Sequence, residues 1–459
     1  MRKIVSSKPN FFLNILCEQE VIAQYHEKYD AMDKILTATP EILNSVHLDL
    51  KNYGDGQQRE CPFSSEQILR MAIVKQYENW SYRECIIRIS ESDFLRNFVR
   101  IGMGRIMSFG FLCGAINRIS EETWNKVNSL LGDYAMEKGL ICPEEIRMDS
   151  TVCETNIHYP TDNSLLWDCY RALSKQMRRA IELEPNFNIG NRFHESKIKK
   201  LHTYIATHAG RKNKSTKRKI KRSLKTMIER VRRLCLSARN FVANANRTAS
   251  CSLSAYGIVN NLRDLITLAE RVVDQSERIH LQGEKVPASQ RIFSIFEEHT
   301  ELFKRGKTQK PVEFGHLVSI AQTREKYITF YDIRERSLHD TKLKEIALSE
   351  HEERFGALPD KFTADKNYYV SMDEIAELEE QMSLCAIGKK GRRSQEEYDR
   401  EHSEEFKDMQ RFRAGVEGSI SFLKRVLGLR RCLNKGFKHF ACTIGRMVFC
   451  HNLLILSRS

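Results

Sequence analysis

Glu145-Ile146-Arg147-Met148-Asp149-Ser150-Thr151-Val152 is the stretch on which the fold turns. Its apolar and β-branched residues predict a short strand that ends at an acidic residue, and Asn156-Ile157-His158-Tyr159-Pro160-Thr161-Asp162 forms a turn-rich loop after it. A second such run, Lys361-Phe362-Thr363-Ala364-Asp365, enters through Pro359-Asp360 and again ends on an acid. Adjacent in one sheet, the two strands would set the carboxylates of Asp149 and Asp365 side by side at its carboxyl edge.

Working outward, Val312 to Ala321 and Tyr327 to Ile333 are β-rich and joined by the polar turn Gln322 to Lys326, which predicts an antiparallel hairpin after Gly306. A helix is expected from His339 to Phe355 and another from Met409 to Leu427, while residues 163–304 read as one long helical stretch. Strand, helical excursion, hairpin, helix, strand, helix is the order of an α/β core interrupted by a large helical insertion. Before it, Pro62 to about Met136 is helical. Ser64 or Ser65 is placed to cap a helix carrying Ile68, Leu69, Ala72, Ile73 and Tyr77; Ser81 and Glu84 predict a capping box after the break at Asn79-Trp80-Ser81; Ser92-Asp93 opens a third helix. Short helices with tight turns suit two roles, a helix-turn-helix in a DNA major groove or a bundle that only packs.

The bulk composition narrows the class. The chain has 459 residues, enough for two or three structural units, and only 9 Pro and 22 Gly against 41% hydrophobic residues, so it is ordered and helix-rich. Lys and Arg outnumber Asp and Glu by 74 to 60, a formal charge of +14 that favours a polyanionic partner. The 13 Cys form no C-x-x-C pair, the usage of a reducing compartment. Met1 to Leu16 has no signal-peptide core and no run reaches the roughly 18 apolar residues of a membrane span, so a soluble cytoplasmic protein is expected, without membrane partners.

The chemistry falls to three acids. Divalent ions such as Mg²⁺ or Mn²⁺ take hard oxygen ligands, and a few carboxylates suffice because water and phosphate oxygens complete the shell. Asp149 and Asp365 supply two. Glu417 stands on the late helix, where about 100° per residue sets Arg413, Glu417 and Lys424 on one side and Val416, Ile420, Leu423 and Leu427 on an apolar stripe beside it. Separately, Arg211 to Arg233 carries a dense basic run, including Lys217, Arg218, Lys221, Arg222 and Lys225, with Ile220, Leu224, Ile228 and Val231 at helical spacing. Each feature also has an ordinary role: Asp149 as a turn cap, Asp365 as a turn residue, Glu417 and Arg413 as a surface pair, the basic run as a solvated face. His158 reads as a structural loop histidine, Asp162 and Asp168 as spare acids, and Cys432, Cys442, Cys450 and His451 as buried side chains of a terminal helix, their spacing being too open for structural zinc.

At these residues the chain resembles the DDE transposases of bacterial insertion sequences. Arg147-Met148-Asp149-Ser150-Thr151 and the loop to Asp162 are similar to the family's first catalytic strand and the loop after it; Thr363-Ala364-Asp365-Lys366-Asn367-Tyr368 to the segment around its second Asp; and Arg413-x-x-x-Glu417, with Lys424, Gly428-Leu429 and Asn452-Leu453, to its third acid and the chain beyond. Pro62 to Val99, with Trp80-Ser81-Tyr82-Arg83-Glu84, resembles the helical domain ahead of the catalytic core. Asn367 stands where Gly is usual, and Gln410 where some relatives carry Tyr. The resemblance implies a ribonuclease-H-like mixed sheet with flanking helices and a helical domain over 1–140. The catalytic core would lie in 141–171 and 309–459, with a basic insertion over 172–308. It also implies two Mg²⁺ or Mn²⁺ ions on Asp149, Asp365 and Glu417, with Arg413, Lys424 and the basic helix on DNA. The expected partners are double-stranded terminal inverted repeats and target DNA, handled by a dimer or larger assembly near the bacterial nucleoid. Cutting and joining of insertion-sequence ends is the expected reaction. A nuclease of the same fold without strand transfer, and a non-catalytic basic DNA-binding protein, are the rivals.

Overall fold

The computed structural model describes residues 4, 19–51, 62–188, 190, 192–247, 252–304 and 311–458. Most of Met1 to Leu16, Gly306 and the boundary expected at 308/309 lie outside the described residues. Two units are distinguished, one made of residues 1–154 with 316–459 and the other of 155–315.

Among the described residues, the first unit opens with the helices α1 (Glu20–Ala38), α2 (Pro40–Leu50), α3 (Ser65–Tyr77), α4 (Tyr82–Glu91), α5 (Asp93–Phe98), α6 (Phe109–Arg118) and α7 (Glu121–Glu137). Ser64 is the residue that caps α3, and its box with Gln67 is reciprocal. Ser81 accepts from Glu84 N–H, one half of the expected box, and Asn79 turns the chain between α3 and α4 at φ 53°. α1 and α2, for which no individual helix was delineated within the expected helical domain, bury Tyr29, Met32, Ile35 and Leu36, and Ile42, Val46 and Leu50.

Then come β1 (Glu145–Glu154) and, in the second unit, α8 (Asp162–Leu183), α9 (Glu195–His208), α10 (Lys214–Arg247), α11 (Leu253–Glu277) and β2 (Glu301–Lys304). Among the described residues, the expected helical stretch over 163–304 is therefore four separate α-helices with short helical turns and a strand. Pro185, which has no N–H, ends α8, and Gly283 at φ 77° closes the turn of helix after α11. α8, α10 and α11 bury Leu166, Met177, Phe241, Leu262 and Val272 in one core. Asp162 accepts from Gln275 Nε2 and from His280 Nε2, each at 2.7 Å, which ties the start of α8 to the far end of α11. The hydrogen bonds from Gln275 and His280 outweigh the burial that opposes ionisation, and they hold the Asp162 carboxyl below its ordinary range.

β3 (Val312–Gln322), β4 (Ile328–Ile333), α12 (Asp340–Phe355), β5 (Lys361–Thr363), α13 (Met372–Glu379), β6 (Leu384–Ala386), α14 (Gln395–His402), α15 (Glu404–Ala414), α16 (Val416–Arg425) and α17 (Phe437–Leu456) complete the chain. The hairpin of β3 and β4 is antiparallel as expected, with Val318 opposite Ile333. In the first unit the strand order is β4-β3-β1-β5-β6, with β1, β5 and β6 parallel. This is the ribonuclease-H-like mixed sheet, and helices flank it. One face packs Ile146, Met148, Phe362 and Ala364 against Leu343 and Ala347 of α12. Val318, Ile320 and Ile328 share the largest core with α7, α16 and α17.

No uninterrupted apolar run of membrane length occurs, since Lys438 and Arg446 interrupt α17, but by length and mean hydropathy α17 alone among the described helices could cross a membrane, and 89% of that window is buried inside the protein. It is a core helix. Gly445 lets it approach α7 so closely that a Cβ there would lie 2.8 Å from Trp124 Cβ, and Asn128 Nδ2 donates to Gly445 O at 3.1 Å. Asn452 clips β4 through both of its amide groups, accepting from Ile328 N and donating to Ile328 O at 2.9 Å each.

Candidate functional site

Strand register brings the chain segments leading to two of the predicted acids side by side. β1 and β5 pair in parallel with Arg147 level with Thr363. Two residues further along each extended chain stand Asp149 and Asp365, so the register carries them to the same level on neighbouring paths about 4.8 Å apart. Asp365 keeps an extended backbone (φ −69°, ψ 158°) beyond the last paired residue. It starts a short 3₁₀ turn over Lys366–Tyr368, and its Oδ1 accepts from Lys366 N at 2.7 Å. Asp149 Oδ1 accepts from Ser150 N at the same distance. Both acids are half-buried.

One expectation fails in detail. Asp149 does not end its strand: β1 continues to Glu154, where it bridges Arg431. The β-branched pair Thr151-Val152 keeps the chain extended, and Cys432 N–H donates to Glu154 O at 2.9 Å. The acid is therefore displayed from mid-strand, and β5 stops beside it.

Strand alternation sorts the surroundings. Arg147, Asp149, Thr151 and Cys153 share one side of β1, and Ile146, Met148 and Ser150 the other. Ser150 Oγ lies 2.7 Å from both Ser319 Oγ and Tyr368 OH. Burial drives the Tyr368 phenol far above its ordinary range, and the Asp340, Asp149 and Asp365 carboxylates add to the effect. α15 and α16 cover the Asp149 side. Gln410 of α15 donates to Ala386 O at 2.7 Å and to Thr363 Oγ1 at 3.3 Å, so it fastens α15 to β5 and β6.

Arg147 does the same further on. Its Nη1 donates to Phe412 O at 2.7 Å and its guanidinium lies 4.7 Å above the Phe412 ring. Burial, with Arg324 nearby, lowers its pKa to about 10.

The expected continuous helix over Met409 to Leu427 is broken at Gly415, whose N–H bonds to Phe412 O at 3.1 Å in a tighter turn. The one-face argument therefore holds from Val416 onward and does not extend to Arg413. Arg413 Nε instead donates to Gln410 Oε1 at 3.2 Å, and no ion pair with Glu417 is found among the described residues. Within α16, Val416 and Leu423 are buried and Glu417 is exposed, while Leu427 just past its end is buried too. Burial pushes the Cys153 thiol far up, and among its neighbours the Lys424 ammonium acts against that shift. Gly415 thus sits by Arg147 and Lys424 by Cys153, so α16 follows β1 in the same direction. Glu417 comes two residues after Gly415 as Asp149 comes two after Arg147.

The donor chemistry of the Asp149–Asp365 pair, hard carboxylate oxygens at a half-open edge, fits a divalent ion. Among the described residues no three acids, histidines or cysteines are gathered closely enough to hold one, so Glu417 is not grouped with the pair. Cys432, Cys442, Cys450 and His451 are buried core residues, as expected, but Cys432 precedes the terminal helix α17 instead of lying on it.

In the second unit Lys217, Arg218, Lys221, Arg222 and Lys225 are all exposed on α10, while Leu224, Ile228 and Val231 are buried. The first turn of α10 holds no acid to offset its cations. His158 lies 3.4 Å from Asp168, which also pairs with Arg171 at 3.0 Å.

Sequence reasoning passed over Arg147 as anything more than part of a motif. A cation between Ile146 and Met148, two residues before the acid, was the available signal.

Against known proteins, the family model of the transposase DDE domain matches residues 292–453, a span that includes Asp365, Arg413, Glu417 and Lys424 and leaves out Asp149 and α10. No curated protein and no solved structure matches the chain.

Proposed function

Because residues 292–453 carry a transposase DDE domain, we propose that this chain cuts and joins the ends of an insertion sequence, with Asp149, Asp365 and Glu417 as its metal ligands. The observation that carries the reading is the register of β1 and β5, which levels Asp149, outside the matched span, with Asp365 inside it. Transposases of this class act on DNA with divalent metals; Mg²⁺ or Mn²⁺ and a pair of ions are the finer proposal. When bound, the ions supply Lewis-acid activation of the attacking oxygen and stabilisation of the leaving one.

The chain's own residues do the rest. Asp149 and Asp365 hold their carboxylates at the sheet edge, and Glu417 joins them from α16. Lys424 and Arg413 receive phosphates beside the scissile bond. The exposed cations of α10 contact flanking DNA along its backbone, a role supported by a helix start that is basic where the helix dipole favours acids. A helical domain over 1–140, a core over 141–171 and 309–459 and a basic insertion over 172–308 belong to the same reading. So do terminal inverted repeats and target DNA as partners, a dimer or larger assembly on paired ends, and a cytoplasmic, nucleoid-associated location.

The test is cleavage and joining of a DNA fragment bearing the element's own terminal repeats, with Mg²⁺ or Mn²⁺, by the native chain and by Asp149→Ala, Asp365→Ala and Glu417→Ala. Joined products from the native chain alone are expected. Cleavage without joining would replace the reading with a nuclease of the same fold, and DNA binding without chemistry under either metal would replace it with a non-catalytic binder.

A further inference from the structure

Arg147 is 4% exposed, and no acid pairs with it among the ion pairs of the described residues. Its guanidinium meets neutral partners: Phe412 O at 2.7 Å, Gln322 Oε1 at 3.3 Å and the face of Phe412. Its Nε is buried with no hydrogen-bond partner at all. Burying a cation without a counter-charge is costly, and an apolar side chain would fill the same space at less expense, so packing alone does not account for it.

Geometry suggests what does. Arg147 precedes Asp149 by two residues on the same side of β1, and its Nη1 group lies against Gly415, two residues before Glu417. A Cβ at position 415 would overlap Nη1, so the glycine is required by close approach, its φ of −65° being ordinary for any residue. The guanidinium itself is held by the Phe412 carbonyl and ring, which leaves it little room to give way. One side chain therefore touches both arms of the candidate site, the strand that displays Asp149 and the helix break from which α16 sets out.

We infer that Arg147 is a positioning residue: it clamps the break between α15 and α16 at Gly415 and so fixes where Glu417 stands relative to Asp149. The inference rests on the reading of Asp149 and Glu417 as metal ligands. It needs no contact between Arg147 and the ions or the DNA.

The experiment measures Mn²⁺ binding to the full chain, from loss of the free-ion paramagnetic resonance signal, alongside the Mg²⁺ dependence of DNA-end cleavage. It compares Arg147→Gln, Arg147→Lys, Gly415→Ala, Asp149→Ala and Glu417→Ala. Arg147→Gln and Gly415→Ala are expected to weaken Mn²⁺ binding roughly 10- to 100-fold and to move cleavage to higher Mg²⁺, with DNA binding retained. Arg147→Lys, which keeps a donor for Phe412 O, should recover part of the loss. Gly415→Ala keeps Arg147 and tests the clamp even where Arg147→Gln fails to fold. If Asp149→Ala and Glu417→Ala lose Mn²⁺ while Arg147→Gln and Gly415→Ala bind it as the native chain does, the positioning role is overturned and the ligand reading stands. If Asp149→Ala and Glu417→Ala bind Mn²⁺ normally, both fall together.

Discussion

Asp149 and Asp365 each stand two residues beyond Arg147 and Thr363, the last paired positions of the parallel strands β1 and β5. Replacing either by Asn keeps the shape and removes the charge a divalent ion requires. Asp149→Asn and Asp365→Asn should therefore lower cleavage on the order of 10³-fold with the melting temperature nearly unchanged, since several kcal/mol of charge stabilisation is lost. Kinetics and a thermal melt on the same preparations check this. His451 makes a second prediction. Its Nε2 bonds to Lys326 O at 2.9 Å, so that nitrogen carries the proton, and its Nδ1 is buried without a partner. Burial lowers its pKa to about 4. The folded protein thus binds fewer protons at this site than the unfolded chain between about pH 6.5 and 4. Stability is full above pH 6.5 and falls through that window, by on the order of 3 kcal/mol from this residue. Urea unfolding at pH 7 and pH 4.5 should show the loss, and His451→Gln should shrink the difference between the two; an unchanged difference would contradict the assignment.

Among the elements, those legible in the sequence are the ones whose local chemistry and tertiary fate agree. The capped helices α3, α4 and α5 and the hairpin of β3 and β4 announce themselves by Ser caps and alternating apolar residues. The break at Gly415 does not, because Val416, Ile420, Leu423 and Leu427 sustain a helical stripe past it, and the side chain packed against it belongs to Arg147, 268 positions away in sequence. β6 is three residues long and carries no period of its own. The true end of β1 depends on the chain around Arg431 and Cys432, which no local pattern foretells. Two predictions belong to this scale. Replacing Lys217, Arg218, Lys221, Arg222 and Lys225 by Gln should reduce the slope of log affinity against log salt by about 0.9 for each DNA phosphate no longer neutralised, measured on duplex DNA. The helix should survive, because its buried residues are untouched. At the crossing of α7 and α17, Gly445→Val should destabilise the protein by about 1–3 kcal/mol in chemical unfolding, since the added carbons meet Trp124.

For the molecule as a whole, the sequence carried the fold class further than the site. A mixed sheet with flanking helices follows from two acid-bearing strands, a hairpin and the helices between them. That the strands leading to Asp149 and Asp365 are β-forming was legible from their apolar and β-branched residues, and β1 and β5 do pair in parallel. The place of Glu417 was not legible, because it depends on how α15 and α16 bend over the sheet. A charge of +14 marks the polyanionic partner at this scale, and α10 concentrates a share of it on one exposed face.

The most direct test of the shared metal site is the anomalous scattering of Mn²⁺ in crystals of the full chain bound to a DNA end. Manganese peaks bounded by the carboxylates of Asp149, Asp365 and Glu417 are the predicted result, with α16 drawn in beside β1. Manganese held elsewhere on the chain, with those three carboxylates bare in crystals that still cleave the DNA, would contradict it.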